Sequence, residues 1–327
     1  MLTLGARRAA ADGALTVVGN RLLRDGKPFR PRGVNHAGTE FACVQGTGIF
    51  DGPSTEALVA PMRSWAIDTV RLPLNEDCWL GINGVGPTFG GAAYQDALLA
   101  LVARFHAAGI VVILDLHWSA PGDTLATRQS PMADADHALA LWTSVATRLR
   151  DDREVMFDLF NEPHDLSWAC WRDGCSDPGF PVVGMQALVD AVRGTGAKQP
   201  LLIGGLAWSN DLSGWLAYAP RDPEKALVAS MHAYNFNTCR TRACWDDIVA
   251  PVAREVPVVI GEIGEDDCGG AFLAKLLPWA DAHRIGYLGW TWNTWDCNKG
   301  PSLIADYDGS PTAFGRVFRD HLKRRSR

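Results

Sequence analysis

The strongest constraint in this sequence is a series of eight short apolar runs, each followed by an amphipathic segment with helical spacing. The apolar runs cover residues 29–35, 68–74, 110–118, 155–162, 200–206, 226–234, 256–262 and 285–292. The amphipathic segments lie around 54–66, 93–108, 135–150, 183–195, 209–217, 243–254, 270–283 and 312–323. Near-continuous apolar strands indicate a parallel sheet that is buried on both faces. Eight β-then-α units can close such a sheet, so we predict the α/β class and a single (β/α)8 TIM barrel.

The other arrangement for alternating strands and helices is an open, doubly wound sheet. That fold would place a glycine-rich phosphate turn after its first strand, but "GVNHAGTEF" lacks the GxGxxG pattern. The chain contains no linker-like or low-complexity segment, and a barrel of this length forms one domain. We therefore predict an N-terminal extension at 1–14 and one barrel domain at 15–327, which begins with a short β-hairpin turning at Gly19 and Asn20.

Composition excludes two classes of partner. The 327 residues carry a net charge of −6, and the one dense basic run is the C-terminal "HLKRRSR". A nucleic-acid-binding protein needs a basic face, so we expect no nucleic-acid partner. No apolar run approaches the length of about 18 residues that a membrane-spanning helix needs, so we expect no membrane partner. We also expect a monomer.

Of the eight cysteines, two pairs are close in sequence, Cys170 with Cys175 and Cys239 with Cys244, and the other four each follow a predicted strand. None shows the CxxC spacing of a zinc site. We predict the disulfides Cys170–Cys175, Cys239–Cys244, Cys43–Cys78 and Cys268–Cys297. The first two would close short loops, and the other two would join loops on neighbouring strands. The alternative is eight scattered buried thiols. Loops closed by disulfides indicate an oxidising compartment, so we expect a secreted protein. Residues 1–18 lack the continuous apolar segment of a signal peptide, so the signal would be absent from this chain.

Polar and aromatic residues follow every predicted strand. They are Asn35 and Glu40; Arg71, Asn75 and Glu76; Asp115, His117 and Trp118; Asn161, Glu162 and His164; Trp208 and Asn210; His232 and Tyr234; Glu262 and Glu265; and Trp290, Trp292, Asn293 and Trp295. Each residue alone has a structural explanation, such as an ion pair or a buried histidine. In a barrel, however, the carboxyl ends of all eight strands meet at one face, where the active site forms. The sequence therefore predicts a single site at that face.

Two of these positions carry glutamates in similar contexts. Glu162 ends the fourth strand in "FDLFNE", and Glu262 ends the seventh strand in "VVIGE". These strands lie nearly opposite each other in a barrel, so the two carboxylates can face one another across its mouth. Glycoside hydrolysis uses such a pair, in which one carboxyl group is protonated and the other is ionised. The alternative, a metal hydrolase, would need clustered histidines, whereas His117 and His232 are isolated in the sequence. We therefore expect no metal and no cofactor.

Taken in order, these motifs resemble glycoside hydrolase family 5, the cellulase-type retaining β-glycosidases with a TIM-barrel fold. The resemblance runs from about Arg32 to the end of the eighth strand. "FDLFNEPHD" is similar to the family's Asn-Glu-Pro signature, which implies that Glu162 is the acid/base and that Asn161 contacts the 2-hydroxyl of the sugar. "PVVIGEIG" is similar to the nucleophile strand, which implies that Glu262 is the nucleophile.

The same resemblance implies roles for five further residues. "VRLPL" is similar to the family's arginine strand, so Arg71 would orient and ionise the nucleophile. "VILDLHW" carries the histidine of the third strand, His117, and "MHAYN" carries the His-x-Tyr pair, His232 and Tyr234, whose tyrosine bonds to the nucleophile. "GWTWN" is similar to the aromatic platform under the reactive sugar, which favours Trp290.

Two positions have close neighbours that could take their roles. Glu265 lies three residues after Glu262, but a nucleophile is expected at the strand end, where side-chain placement is tight. Trp292 lies one strand period after Trp290, so both side chains could point inward.

Tryptophans support a carbohydrate ligand independently of the glutamates. Nine of the thirteen fall in segments on the predicted catalytic face: Trp79, Trp118, Trp168, Trp171, Trp208, Trp245, Trp290, Trp292 and Trp295. Their flat apolar faces suit pyranose rings. We count Asn35, Trp118, Trp208 and Trp292 among the candidate substrate-binding residues.

The sequence leaves three functions open. The first is a retaining endo-acting hydrolase of a β-glucan-like substrate. The second is an exo-acting β-glycosidase or diglycosidase on short glycosides with an aglycone, its cleft walled by the long loop that contains Trp79 and by "SWACWRDGC". The third, a non-catalytic sugar-binding barrel, would keep the tryptophans but could dispense with one glutamate.

Overall fold

The computed structural model describes residues 13–297 and 300–325. Residues 1–12 of the predicted N-terminal extension lie outside this part of the chain, so the boundary at residue 14 stays a prediction. Among the described residues, no helix has both the length and the apolar character needed to cross a membrane.

A small antiparallel sheet precedes the barrel. Its strands are β1 Leu15–Val18, β2 Arg21–Arg24 and β3 Lys27–Pro28. The predicted hairpin is confirmed, because β1 and β2 pair from Leu15 with Arg24 to Val18 with Arg21. Gly19 occupies the turn with φ 58°, a left-handed conformation that glycine adopts without steric cost.

Eight parallel strands form a closed barrel, which confirms the predicted (β/α)8 fold. They are β4 Arg32–Asn35, β5 Thr69–Asn75, β6 Val111–Trp118, β7 Val155–Asp158, β8 Leu201–Gly204, β9 Leu227–Tyr234, β10 Val258–Gly264 and β11 Gly286–Gly289. Each strand pairs with the next along the chain, and β11 pairs with β4 to close the ring.

Helices surround the barrel and extend from its mouth. They are α1 Glu56–Ser64, α2 Glu76–Leu80, α3 Ala92–Ala107, α4 Ala138–Leu149, α5 Trp168–Asp173, α6 Met185–Gly194, α7 Leu206–Ser209, α8 Trp215–Tyr218, α9 Arg242–Cys244, α10 Ala250–Glu255, α11 Leu273–Ala282 and α12 Ala313–Arg325. A π-helical turn at Trp245–Val249 joins α9 to α10.

The predicted helix at 209–217 is wrong. The chain after β8 first makes a left-handed turn, with φ between 53° and 62° at residues 207–209. Asp211 then accepts a hydrogen bond from the backbone of Ser213, and this local turn delays the helix until Trp215. Pro220 forces Ala219 into an extended conformation (ψ 133°), so α8 is only four residues long.

The N-terminal sheet closes the barrel at the end opposite the mouth. Leu15 and Leu22 pack with inward-facing strand residues in one apolar cluster, whose other members are Val111, Ile113, Met156, Leu202, Val228, Val259 and Leu288. Side chains alternate along a strand, so the inward positions that follow Ile113 on β6 are Asp115 and His117. The barrel interior therefore changes from apolar to polar towards the mouth.

All four predicted disulfides are present. Cys43–Cys78 joins the loop after β4 to α2, and Cys268–Cys297 joins the loops after β10 and β11. Cys170–Cys175 and Cys239–Cys244 close short loops after β7 and β9. Every one of these cross-links lies on the face where the strands end.

Candidate active site

Arg71, on β5, is fully buried and holds the centre of the site. Its Nε contacts Asp158 Oδ2 at 3.0 Å. Its Nη1 contacts Asn35 Oδ1 at 3.0 Å and Glu262 Oε1 at 2.9 Å. Its Nη2 contacts Asn161 Oδ1 and Asp115 Oδ1 at 2.9 Å each. One cation thus fixes three carboxylates and two amides. Asn35 in turn donates to the carbonyl oxygen of Gly261 at 2.9 Å, so it supports Arg71 and the β10 backbone together.

The cluster contains more acidic than basic groups. Burial raises the pKa of Asp115 and of Asp158 to about 7, although Arg71 acts in the opposite direction on both. A carboxyl group whose pKa is higher in the folded state than in the unfolded state binds its proton more tightly when folded. Its contribution to stability is therefore lost as the pH rises through the folded pKa.

We expect Arg71→Met to destabilise the fold strongly and in a pH-dependent way. At pH 8 the change leaves three buried carboxylates without a counter-charge, which costs about 3–5 kcal/mol. At pH 5 the aspartates are protonated, so the loss is smaller. Urea unfolding of the wild type and the variant at both pH values measures the difference.

Arg193→Met is the matched control for Arg71→Met. Arg193 is a nearly buried arginine that pairs with a single carboxylate, Asp222, at 2.7 Å. Its interactions, which include bonds from Arg193 and from the backbone of Ala226, hold the pKa of Asp222 below its usual range. The control should lose stability to a similar extent at pH 5 and pH 8. Equal losses at the two pH values for Arg71→Met would contradict the electrostatic explanation.

Glu262 is positioned by a β-bulge in β10. The register of β10 shifts between Ile260 and Glu262 against β9, which turns the glutamate into the mouth. Gly261 sits at this bulge, and a Cβ there would lie 2.9 Å from Ser230 Oγ and 3.0 Å from His232 Nε2. A side chain at this position would have to displace Ser230 or His232 on the inner wall, so glycine suits the bulge.

Both carboxylate oxygens of Glu262 accept hydrogen bonds. Arg71 Nη1 donates to Oε1 at 2.9 Å, and the hydroxyl of Tyr234 donates to Oε2 at 2.5 Å. Burial raises the pKa of Tyr234 well above its usual value, so the phenol keeps its proton and remains a donor. Glu265 is held elsewhere, because its Oε1 accepts from the backbone of Leu273 at the start of α11.

Glu162 lies just beyond β7, which ends at Asp158, four residues earlier than predicted. Its φ of 53° is left-handed, which costs about 1–2 kcal/mol for an L-residue. The backbone of Asn161 still bonds to Leu116 on β6 at 2.9 Å, so the segment stays attached to the barrel. Glu162 Oε2 accepts from Gln129 Nε2 at 2.9 Å, and Oε1 lies 2.9 Å from His232 Nδ1.

The two glutamates are close together in different surroundings. One carboxylate oxygen of each and a ring nitrogen of His232 all lie within 4.8 Å of one another. Burial raises the pKa of Glu162, although the hydrogen bond from Gln129 and the charge of Arg71 act in the opposite direction. Among the described residues, no arginine or lysine forms an ion pair with Glu162. Burial also lowers the pKa of His232 to about 3 and that of His117 to about 4, so both imidazoles are neutral at neutral pH. The site thus places a carboxyl group that favours its proton beside a carboxylate surrounded by donors.

Aromatic residues line one side of the mouth. The indole of Trp290 stacks on His117 with ring centroids 5.5 Å apart and planes 10° from parallel. His117 Nδ1 lies 2.7 Å from Asp115 Oδ2, which fixes the imidazole. Further out, Phe41 lies between Trp118 at 6.4 Å and Trp295 at 6.0 Å. Phe41 follows β4, His117 and Trp118 end β6, and Trp290 and Trp295 follow β11.

Trp208 lies on the other side, in α7 after β8. Its indole is 43% exposed and stacks on His164 with centroids 3.5 Å apart. The ring of His164 also contacts the carbonyl oxygen of Glu162 through Nδ1 at 2.8 Å. Trp208 is therefore linked to Glu162 through one intervening side chain.

Several tryptophans expected at the mouth lie in the core instead. Trp292 is fully buried and packs edge-on against Trp65 with ring centroids 4.8 Å apart. Its side chain is therefore not part of the aromatic surface around Trp290. Trp79 is also fully buried, and its indole donates to Ser144 Oγ at 3.1 Å, so it cannot form the wall expected from its long loop. Trp171 and Trp245 are core residues as well.

The sequence analysis missed three residues of the site. Asp158, which bonds to Arg71, gave a usable signal, because it is a lone charge inside the apolar run "VMFDLF". Phe41 and Gln129 gave none, since each lies in a loop whose path depends on tertiary packing. Gln129 is the more consequential, because it contacts Glu162 directly.

Two groups of described residues have donor sets that could hold a metal ion. One is Glu162, His232 and Glu262, whose atoms are already engaged with Arg71, Tyr234 and Gln129. The other is Cys170, Cys175 and Asp177, in which both sulfurs form a disulfide and are therefore not thiolate ligands.

The fold and the paired glutamates define a barrel enzyme of the glycoside hydrolase class. The chain belongs to glycosyl hydrolase family 5, the cellulase family, whose sequence model matches residues 22–296.

Relatives of known activity include glucanases and a mannanase. The chain is 25% identical to a mannan endo-1,4-beta-mannosidase of Streptomyces lividans, over 88% of this chain and 68% of that protein. It is 24% identical to the endoglucanase MaCel5A of a Microbulbifer species, over 88% of this chain and 55% of that protein. Among solved structures, the beta-glucanase SdGluc5_26A of Saccharophagus degradans in complex with cellotetraose shares the fold, with a TM-score of 0.74, 20% identity and coverage of 97% of this chain and 95% of that one.

Proposed function

We propose that the protein is a retaining glycoside hydrolase that cleaves β-glycosidic bonds of a β-glucan-like chain by double displacement. Glu262 is the nucleophile and Glu162 is the acid/base. The observation that carries the proposal is the asymmetry of the pair. Glu262 accepts hydrogen bonds from Arg71 and Tyr234, whereas no arginine or lysine in the described part of the chain forms an ion pair with Glu162, and burial raises the pKa of Glu162.

The first step follows from this asymmetry. Glu162 donates its proton to the departing glycosidic oxygen while Glu262 attacks the anomeric carbon, which leaves a glycosyl group bound to Glu262. The donors on Glu262 hold its oxygens in place for the attack. The neutral imidazole of His232 lies 2.9 Å from Glu162 Oε1 and adds no positive charge that would favour ionisation of the acid.

The second step reverses the roles. Glu162, now ionised, takes a proton from a water molecule, which displaces Glu262 from the sugar and restores both side chains. Retaining enzymes place their carboxyl groups about 5–5.5 Å apart, and inverting enzymes about 6.5–9.5 Å apart. One oxygen of each glutamate lies within 4.8 Å of the other, which is compatible with the shorter separation of a retaining enzyme.

Two groups are suited to hold the sugar that is attacked. Asn161 Nδ2 is buried and has no hydrogen-bond partner within the described residues, so it is available to a substrate hydroxyl. Trp290, supported by His117, offers an aromatic face to the same sugar. Both agree with the roles that the family resemblance implies.

The measurement that tests the mechanism is the anomeric configuration of the first product. Proton NMR of a short β-glucan or β-mannan oligosaccharide during hydrolysis should show the β-anomer first, followed by mutarotation. The α-anomer appearing first would overturn the retaining pathway. Comparing glucan with mannan in the same assay identifies the preferred sugar, because relatives of both kinds exist.

We further propose that the enzyme is secreted and works outside the reducing cytosol. Four disulfides on the catalytic face need an oxidising compartment to persist.

Gln129 should tune the acidity of Glu162. The hydrogen bond from Gln129 lowers the pKa of Glu162, since it favours the ionised form. In Gln129→Met the pKa rises and the acid keeps its proton to higher pH. We expect the alkaline limb of kcat/KM to move up by about 0.5–1 pH unit.

Arg128→Met, at the exposed neighbouring position, is the control for Gln129→Met and should leave the pH profile unchanged. An unchanged profile for Gln129→Met would show that this hydrogen bond does not influence the acid during catalysis.

A further inference from the structure

The segments after β7 and β8 form a second aromatic surface, separate from the one around Trp290. A groove of about 790 Å³ runs between them, lined by His164, Trp168, Trp208 and Tyr218 together with two carboxylates, Asp165 and Asp211. Trp208 and Tyr218 are 43% and 36% exposed, unusual values for such large apolar side chains. This exposed aromatic surface has no role in the catalytic steps described above.

Trp168 is held rigidly at the far end of the groove. Its indole stacks on Tyr218 with centroids 6.2 Å apart and lies edge-on to the buried Trp171 at 5.1 Å. The ring also covers Gly214, where a Cβ would approach it to 2.5 Å. Ser167 caps α5 through the backbone of Cys170, whose disulfide to Cys175 closes the same loop. A rigid aromatic face binds a ligand at little cost in side-chain entropy.

One residue, His164, connects the groove to the catalytic site. His164 lines the groove, stacks under Trp208 and contacts the backbone of Glu162. Because the acid delivers its proton to the departing oxygen, the leaving group lies on the side of Glu162. The aromatic residues around Trp290 lie after β4, at the end of β6 and after β11, on the other side of the mouth. The groove therefore extends the leaving-group side of the cleft.

We propose that Trp168 and Tyr218 form a distal subsite for the leaving-group part of a β-linked glycan chain, beyond the sugar next to Trp208. The occupant is a sugar chain because the surface combines flat aromatic faces with carboxylates that accept hydrogen bonds from hydroxyl groups. This inference rests on the proposed function and bears on whether the enzyme cleaves within a chain or at its end. Binding surfaces on both sides of the glutamates suit cleavage within a chain.

Trp168→Ala tests the distal subsite through a ratio of activities. We expect kcat/KM on cellohexaose, relative to p-nitrophenyl cellobioside, to fall about ten-fold, since the aryl substrate has no sugar to reach Trp168. Trp168→Phe should recover most of the ratio, and Tyr218→Ala should lower it independently if Trp168→Ala fails to fold. Leu216→Ala, at an exposed apolar position near Tyr218, is the matched control.

Direct binding separates this inference from the proposed function. Calorimetry with cellohexaose does not depend on turnover when both proteins carry Glu262→Gln, and Trp168→Ala in that background should weaken binding about ten-fold. Equal affinities would overturn the subsite even if hydrolysis proceeds as proposed. A loss confined to p-nitrophenyl cellobioside would also overturn it, because the groove would then bind an aromatic aglycone instead of a sugar chain.

Discussion

Glu262→Gln is expected to lower kcat on every β-glycoside by at least about 10⁴-fold, because an amide cannot form the covalent bond to the anomeric carbon. The substitution keeps the size of the side chain and an oxygen that accepts from Arg71 or Tyr234. The fold should therefore survive, as circular dichroism and thermal unfolding will show. Activity with an aryl glycoside and with a soluble glucan measures the effect.

Glu265→Gln is the matched control, since it removes a carboxylate three residues away on the same segment. Its amide oxygen can still accept the hydrogen bond from Leu273, so α11 should start as before. We expect activity close to that of the wild type. An inactive Glu265→Gln together with an active Glu262→Gln would reverse the assignment of the nucleophile.

Glu162→Ala is expected to produce a loss that depends on the leaving group. On a glucan, whose departing oxygen needs a proton, kcat should fall about 10²–10⁴-fold. On dinitrophenyl cellobioside the leaving group departs without a proton, so the glycosyl-enzyme forms quickly and then waits for a water molecule that lacks its base. A rapid burst of dinitrophenolate followed by a slow steady state is the expected signature.

The presence of that burst distinguishes the loss of a catalytic acid from structural damage to the site. Glu162→Gln retains groups that can bond to Gln129 and His232 but has no proton to donate, so it should show the same burst as the alanine variant. Equal losses on both substrates, with no burst, would mean that Glu162 is not the acid.

The barrel could be predicted because its determinants are local. Eight apolar runs of strand length, separated by helical patterns, leave few ways to bury both faces of a sheet. The placement of Glu162 and Glu262 at the catalytic face followed for the same reason, since both come late in or after a strand and the carboxyl ends of all strands meet at that face. The bulge at Gly261 did not follow from the alternation of side chains, although it turns Glu262 into the mouth.

The loops could not be predicted with the same success. Trp79 and Trp208 both follow strands at the catalytic face, yet one is fully buried under α4 and the other is 43% exposed. Burial in a protein core and contact with a sugar both stabilise a tryptophan side chain. The presence of a tryptophan in the sequence therefore does not show which of the two environments it has. The path of the backbone decides, and that path depends on contacts distant in sequence. Gln129 illustrates the same limit, because only the folded loop brings it to Glu162.

The four disulfides give the two ends of the molecule different ways of staying ordered. The barrel and the sheet that closes it depend on backbone pairing and apolar packing, whereas the segments around the mouth are also tied covalently, from Cys43 and Cys78 round to Cys268 and Cys297. Local opening of the mouth and global unfolding are therefore separate equilibria, and the redox state of the solvent acts mainly on the first. A reducing environment would increase the mobility of the segments around the mouth while the barrel stays folded.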